Sequence, residues 1–101
     1  TLFSPLTLQN GWANLGSTWA TAGESVDGDT VTVKGSIQSG TFADGTTLTT
    51  LDVGYRPTEK FLVWAYNANS LCWLTVDTDG SVKVSGATSN GSLAFYFTFR
   101  R

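Results

Sequence analysis

The stretch Lys60-Phe61-Leu62-Val63-Trp64-Ala65-Tyr66-Asn67-Ala68-Asn69-Ser70-Leu71-Cys72-Trp73-Leu74-Thr75-Val76-Asp77 decides the fold class. Two runs rich in β-branched and aromatic residues, 60–67 and 70–77, flank Ala68-Asn69, which reads as the tip of a hairpin. With a side-chain period of two, Phe61, Val63 and Ala65 share one face of the first strand. Leu62, Trp64 and Tyr66 share the other. On the second strand, Leu71 and Trp73 oppose Cys72, Leu74 and Val76. Both faces are therefore apolar, whereas the outer face of an antiparallel sandwich strand is ordinarily wet. Burying a large apolar side chain is worth roughly 1.5–3 kcal/mol, so such a face is expected to be covered. A chain of 101 residues supplies few layers of its own. A neighbouring subunit is the preferred cover, and the expectation is a homo-oligomer.

Working outward, further short β-patterned runs alternate with turn signals. Asp27-Gly28-Asp29 precedes a strand in which Val31, Val33, Gly35 and Ile37 alternate with Thr32, Lys34 and Ser36. A shorter strand is expected over 47–51. Asp79-Gly80 turns the chain into Val82-Lys83-Val84-Ser85. After Ser89-Asn90-Gly91, the residues Leu93, Phe95, Phe97 and Phe99 alternate with Ala94, Tyr96, Thr98 and Arg100. The second half thus reads as a four-stranded antiparallel meander. In the first half, 6–9 and 18–25 are candidate strands, the latter hairpinned to 30–38, with turns at Asn10-Gly11 and Leu15-Gly16 around Trp12 and Trp19. The echo between Asp27-Gly28 and Asp79-Gly80 reads as shared turn chemistry rather than duplication. No helical period of useful length occurs. The fold class is all-β, an antiparallel β-sandwich or jelly-roll-like domain occupying 1–101.

Composition agrees and removes most alternatives. Sixteen Thr, ten Ser and eleven Gly accompany 41% apolar residues and only 14% charged ones, against roughly 25% charged in an ordinary soluble domain. That excludes a coiled coil, a helical bundle, a collagen-like fibre and a disordered tail. One Cys precludes an internal disulfide, and no spacing suggests zinc. The net charge is −2, and the six basic residues are scattered. No stripe exists to neutralise phosphates, so nucleic acid is not an expected partner. No stretch approaches the ~20 apolar residues of a membrane-spanning helix, so membrane insertion is not expected either.

Few residues offer chemistry. Without histidine, Ser and Cys nucleophiles lack their usual activating base, and Cys72 sits in an apolar strand as an inert thiol. Most carboxylates fall at turns, where Asp bonds nearby backbone N–H groups; only Glu24, Asp52 and Glu59 do not. Asp77-Thr78-Asp79-Gly80 opens like a calcium loop, yet no bidentate Glu follows at the required distance. The expectation is no catalytic residue, no metal and no cofactor. Aromatic rings with polar tips are left, suited to stacking on sugars or anchoring partners. Trp12, flanked by Asn10-Gly11 and by Asn14, is one ligand-binding candidate. Tyr66 and Asn67, leading to Asn69 at the hairpin tip, form another.

Several segments in order carry a resemblance. They are Leu8-Gln9-Asn10-Gly11-Trp12, Trp19-Ala20-Thr21-Ala22 followed by Val31-Thr32-Val33-Lys34-Gly35, Thr50-Leu51-Asp52-Val53-Gly54-Tyr55-Arg56-Pro57, and the hairpin over 79–84. Together they resemble the C-terminal receptor-binding tip domains of bacteriophage tail-fibre and baseplate proteins. The resemblance implies a homotrimeric, non-enzymatic β-sandwich on the virion, exposed to the extracellular medium and attached to a bacterial surface glycan. It makes the chain, which starts at Thr1, the C-terminal fragment of a longer fibre protein. It also implies that Gly54, Tyr55, Arg56 and Pro57 form a structural corner, with Gly54 permitting an unusual backbone angle and Pro57 setting the exit. Two departures stand out. Asp52 lies where the family often has Pro, and 60–76 follows no family pattern. The competing readings are a monomeric carbohydrate-binding module of a secreted enzyme and a trimerisation cap without a ligand.

Overall fold

A computed structural model describes residues 2–101. Its strands are β1 (Ser4–Pro5), β2 (Ala13–Asn14), β3 (Gly23–Asp27), β4 (Thr30–Gln38), β5 (Thr46–Thr50), β6 (Phe61–Asn67), β7 (Ser70–Val76), β8 (Ser81–Ser85) and β9 (Leu93–Arg100). All pairings are antiparallel, in the order β1-β3-β4-β9-β6-β7-β8-β5, with β2 beside the far end of β4. This is the all-β antiparallel architecture expected from the alternating runs.

The sheet folds over on itself at β6 and β9. These strands share only two register pairs, Tyr66 with Ala94 and Asn67 with Leu93. Beyond that corner they splay, and the Phe61 ring fills the opening against Phe97 and Phe99 at centroid distances of 6.1 and 5.2 Å. One layer is then β1, β3, β4 and β9, and the other is β6, β7, β8 and β5. The N-terminal segment closes the opposite side. Leu6 N–H donates to Ala22 O, whereas Gln9 N–H donates to Leu48 O and Leu8 bridges Thr49.

Between the layers lie Val31, Val33 and Ile37 of β4, Leu48 of β5, Leu74 and Val76 of β7, Val82 and Val84 of β8, and Leu93 of β9, all fully buried. Each aliphatic side chain here contributes roughly 1.5–3 kcal/mol. Cys72 joins this core as a free thiol, and burial raises its pKa. Among the described residues no buried side-chain polar atom lacks a hydrogen-bond partner.

The expected four-stranded meander stops at three strands, and this is a correction. β6, β7 and β8 follow one another through tight turns, but β9 leaves β8 and lies between β4 and β6. Both edges of the five-residue β8 are already occupied, by β7 and by β5. β4 instead offers β9 eight register pairs that match Val31 with Phe99, Val33 with Phe97 and Ile37 with Leu93. The strands expected over 6–9 and 18–25 are also shorter. The first reduces to the Leu8 bridge, and the second begins at Gly23 because Trp19 N–H closes a turn on Gly16 O.

Candidate functional site

The register of β6 and β7 sets the first notable surface. Trp64 stands opposite Trp73, Tyr66 opposite Leu71 and Leu62 opposite Thr75, all pointing away from the core. Trp64 and Trp73 meet edge to face at 6.0 Å. Leu62 is 65% exposed and Trp64 is 68% exposed, with Tyr66 and Leu71 also open. The face continues past Tyr66 onto Ala94, where Leu15, Trp19 and Ser36 border a small cleft. These side chains present an apolar surface, with a shallow depression between Leu62, Val63, Trp64 and Trp73.

The second surface lies at one end of the sandwich, where four connections meet. They are 9–12, 39–45, 67–69 and 86–92, tied by backbone and side-chain bonds. Ser39 N–H donates to Asn90 O at 2.8 Å, and Thr41 N–H donates to Asn10 O at 3.0 Å. The Asn67 amide nitrogen donates to Ser89 O and Ser92 O, and Asn67 Oδ1 accepts from Thr88 N–H. Asp44 Oδ1 accepts from Gly86 N–H. Between 9–12 and 39–45 runs an open groove of about 540 Å³ lined by Asn10, Gly11, Ser39, Thr41, Phe42 and Asn90.

The structure separates the sequence-based ligand candidates. Trp12 is 4% exposed, and its Nε1 donates to Thr41 O at 3.0 Å. Its ring lies under Gly40, where any Cβ would enter the indole, so Trp12 supports the 39–45 loop and offers no face to a ligand. Asn67 is 1% exposed and its amide is consumed by the 88–92 connection. Both side chains lie buried where the sequence reading expected accessible ligand contacts. Asn14 is exposed, although its Oδ1 accepts from Ala22 N–H. Tyr66 and Asn69 are exposed neighbours, with Tyr66 OH 3.4 Å from Asn69 Oδ1. Phe42 and Asn90 escaped the sequence reading of the site because nothing in the periodicity of a connection reports its exposure.

At the other end, Gly54 takes φ +98° in the turn closed by Tyr55 N–H on Asp52 O, an angle only glycine adopts readily. Arg56 Nε donates to Leu51 O, Pro57 is buried, and Tyr55 packs on the core. Arg101 Nη1 reaches Gly54 O at 2.7 Å. Beneath this turn Glu24 is 1% exposed, and Asp52 N–H donates to its Oε1 at 3.3 Å. Burial pushes its pKa from 4.5 to about 7, with the Asp52 N–H opposing the rise. Asp77 and Asp79 serve their own hairpin: Thr78 N–H donates to Asp77, and both the N–H and the hydroxyl of Ser81 donate to Asp79 Oδ1. Those bonds lower the pKa of Asp79.

No protein-family model matches the chain, and no curated protein matches it. Solved structures do. The head domain of the lactococcal phage bIL170, described among the receptor-binding domains of lactococcal phages, superposes with a TM-score of 0.69 at 16% identity. That match covers 98% of this chain and 96% of the other. The receptor-binding protein gp15 of Listeria phage PSA gives 0.72 at 14% identity, over 99% of this chain and 66% of gp15. The chain has the fold of these phage receptor-binding domains.

Proposed function

We propose that the chain is a non-enzymatic host-receptor-binding domain of a phage tail fibre or baseplate protein, carried on the virion and directed at bacterial surface carbohydrate. The tip-domain type with the Gly54-Tyr55-Arg56-Pro57 corner belongs to this reading, as does assembly as a homotrimer. Two phage receptor-binding proteins sharing the fold support it, and the observation that carries it is the outward face of β6 and β7. Scaled from full aromatic and leucine areas, its five side chains expose on the order of 600 Å². That equals the largest patch a monomer usually shows and approaches the roughly 800 Å² each partner gives to a standard interface. Packed around a threefold axis, this face is withdrawn from water, while the connections at the ends of the sandwich stay free to meet the host. Asn14 and Asn69 lie outside that set of five side chains and stay open as ligand contacts, whereas Tyr66 belongs to the face that the assembly covers.

Light scattering at micromolar concentration tests the assembly, and a strict monomer would sink the trimer. Adsorption of the labelled chain to a panel of bacterial strains, with competition by their purified wall polysaccharides, tests the receptor role. Trimers that adsorb to no strain would leave a structural cap. A monomer that binds free polysaccharide would point to a carbohydrate-binding module.

A further inference from the structure

We propose that the groove between 9–12 and 39–45 is the saccharide site, and that it takes an uncharged sugar rather than an anionic wall polymer. This rests on the receptor-binding reading and adds to it a location and a ligand class. Phe42 supplies an exposed aromatic side chain at the rim. Asn90 supplies a side-chain amide, and Ser39 and Thr41 supply hydroxyls, none of which makes a hydrogen bond among the described residues. Asn10 spends its amide nitrogen on Thr47 O at 2.7 Å and keeps its oxygen for a ligand. An apolar ring with a few convergent neutral donors and acceptors is how a hexose is held, through its C–H face and its hydroxyls.

Charge decides the ligand class. No lysine, arginine, aspartate or glutamate lines the groove, and the chain as a whole is negative. A phosphate there would give up its hydration without meeting a counter-charge. A neutral sugar loses far less.

Contacts within the chain already tie the groove together. Trp12 supports it from beneath through Gly40 and Thr41, while Asp44 and Asn90 brace its flanks. Asn10 at φ 58° and Ser39 at φ 74° are held in the left-handed region, which non-glycine residues occupy at a cost and which clusters at functional sites. A pre-ordered wall saves the entropy that a mobile loop would lose on binding.

The test uses the 15N-labelled chain titrated with glucose, galactose, rhamnose and N-acetylglucosamine, each compared with glycerol 3-phosphate. At least one neutral sugar is expected to move the amides of Gly11, Gly40 and Thr41 and the side-chain NH2 of Asn90, while glycerol phosphate moves none. Phe42→Ala and Asn90→Ala, both exposed positions whose variants should keep the parent spectrum elsewhere, are expected to weaken that binding by about tenfold each. Shifts confined to other residues, no response to any of the four sugars, or a preference for glycerol phosphate would overturn the proposal. Adsorption to bacteria separates the two readings. If both variants adsorb as the parent does, the groove is wrong and the receptor role stands. If the groove binds sugar but the parent adsorbs to no strain, the receptor role is wrong and the groove stands.

Discussion

The β3–β4 and β6–β7 hairpins are built alike and break the inside-apolar, outside-polar rule in opposite directions. Each is joined by a two-residue turn, Gly28-Asp29 or Ala68-Asn69, and each turns alternate residues into the core. Outside, β4 shows Thr30, Thr32 and Lys34, as a wetted strand should. β6 shows Leu62, Trp64 and Tyr66. Inside, β6 and β7 place Ala65, Cys72 and Leu74. β3 places the carboxyl of Glu24 opposite Val33. The apolar exception would gain stability from a covering partner, and the polar exception gains stability while Glu24 holds a proton. Neither hairpin is at a sheet edge, so the difference lies in what each hairpin must meet.

The largest effect is expected from removing the outer exception. Trp64→Ser with Trp73→Ser should leave the fold intact and reduce the proposed trimer to monomers, since two aromatics withdrawn from an interface cost roughly 3–6 kcal/mol. Sedimentation equilibrium reads this directly, and an unchanged mass would place the interface elsewhere.

An inward substitution on the same hairpin should do the reverse. Leu74→Ala opens a void at a fully buried position and should lower unfolding stability by about 3 kcal/mol without changing the surface that assembles. Chemical denaturation measures it.

The inner exception predicts a pH dependence. Because the folded pKa of Glu24 lies near 7 and its ordinary value is 4.5, the fold binds this proton more tightly than the unfolded chain does. Its stabilising contribution is complete below pH 4.5 and is lost as pH rises through about 7, a change on the order of 3 kcal/mol. Glu24→Gln keeps an acceptor for Asp52 N–H and should flatten that slope, raising stability at pH 8 relative to the parent. Thermal melts across pH 4–8 test the sign, and an equally steep slope in the variant would assign the proton to another group.

The smallest effect belongs to the ordinary outer face. Lys34→Ala loses a cation–π contact with Phe3 at 4.1 Å, worth roughly 0.5–1 kcal/mol at an exposed site, and should leave the assembly untouched. A change in mass would show that the β4 face also takes part in the interface.

Much of this comparison was legible in the residues. The double apolar character of Leu62, Trp64, Leu71 and Trp73 follows from a period of two, which any extended strand obeys. Their exposure in one copy did not require the strand order. The site was less legible. Trp12 reads as a loop aromatic because Asn10-Gly11 precedes it, and only the approach of Gly40 turns it into a buried support. Asn67 reads as a hairpin-tip contact, but Ser89, Ser92 and Thr88 arrive from 21 to 25 residues away to consume its amide.

The residues alone fixed the β class, most turn positions, the inward sets on β4 and β9, the doubly apolar character of β6 and β7, and the absence of a histidine-based mechanism. These are local properties, set by side-chain period, by turn chemistry and by composition. Tertiary structure alone decided that β9 leaves its neighbour β8 for β4, that Glu24 is buried beneath Asp52, and that 9–12, 39–45 and 86–92 converge around one groove. Those outcomes depend on which distant strand offers the longest matching apolar partner. Alternation states which side of a strand faces inward, and pairing decides what stands opposite it.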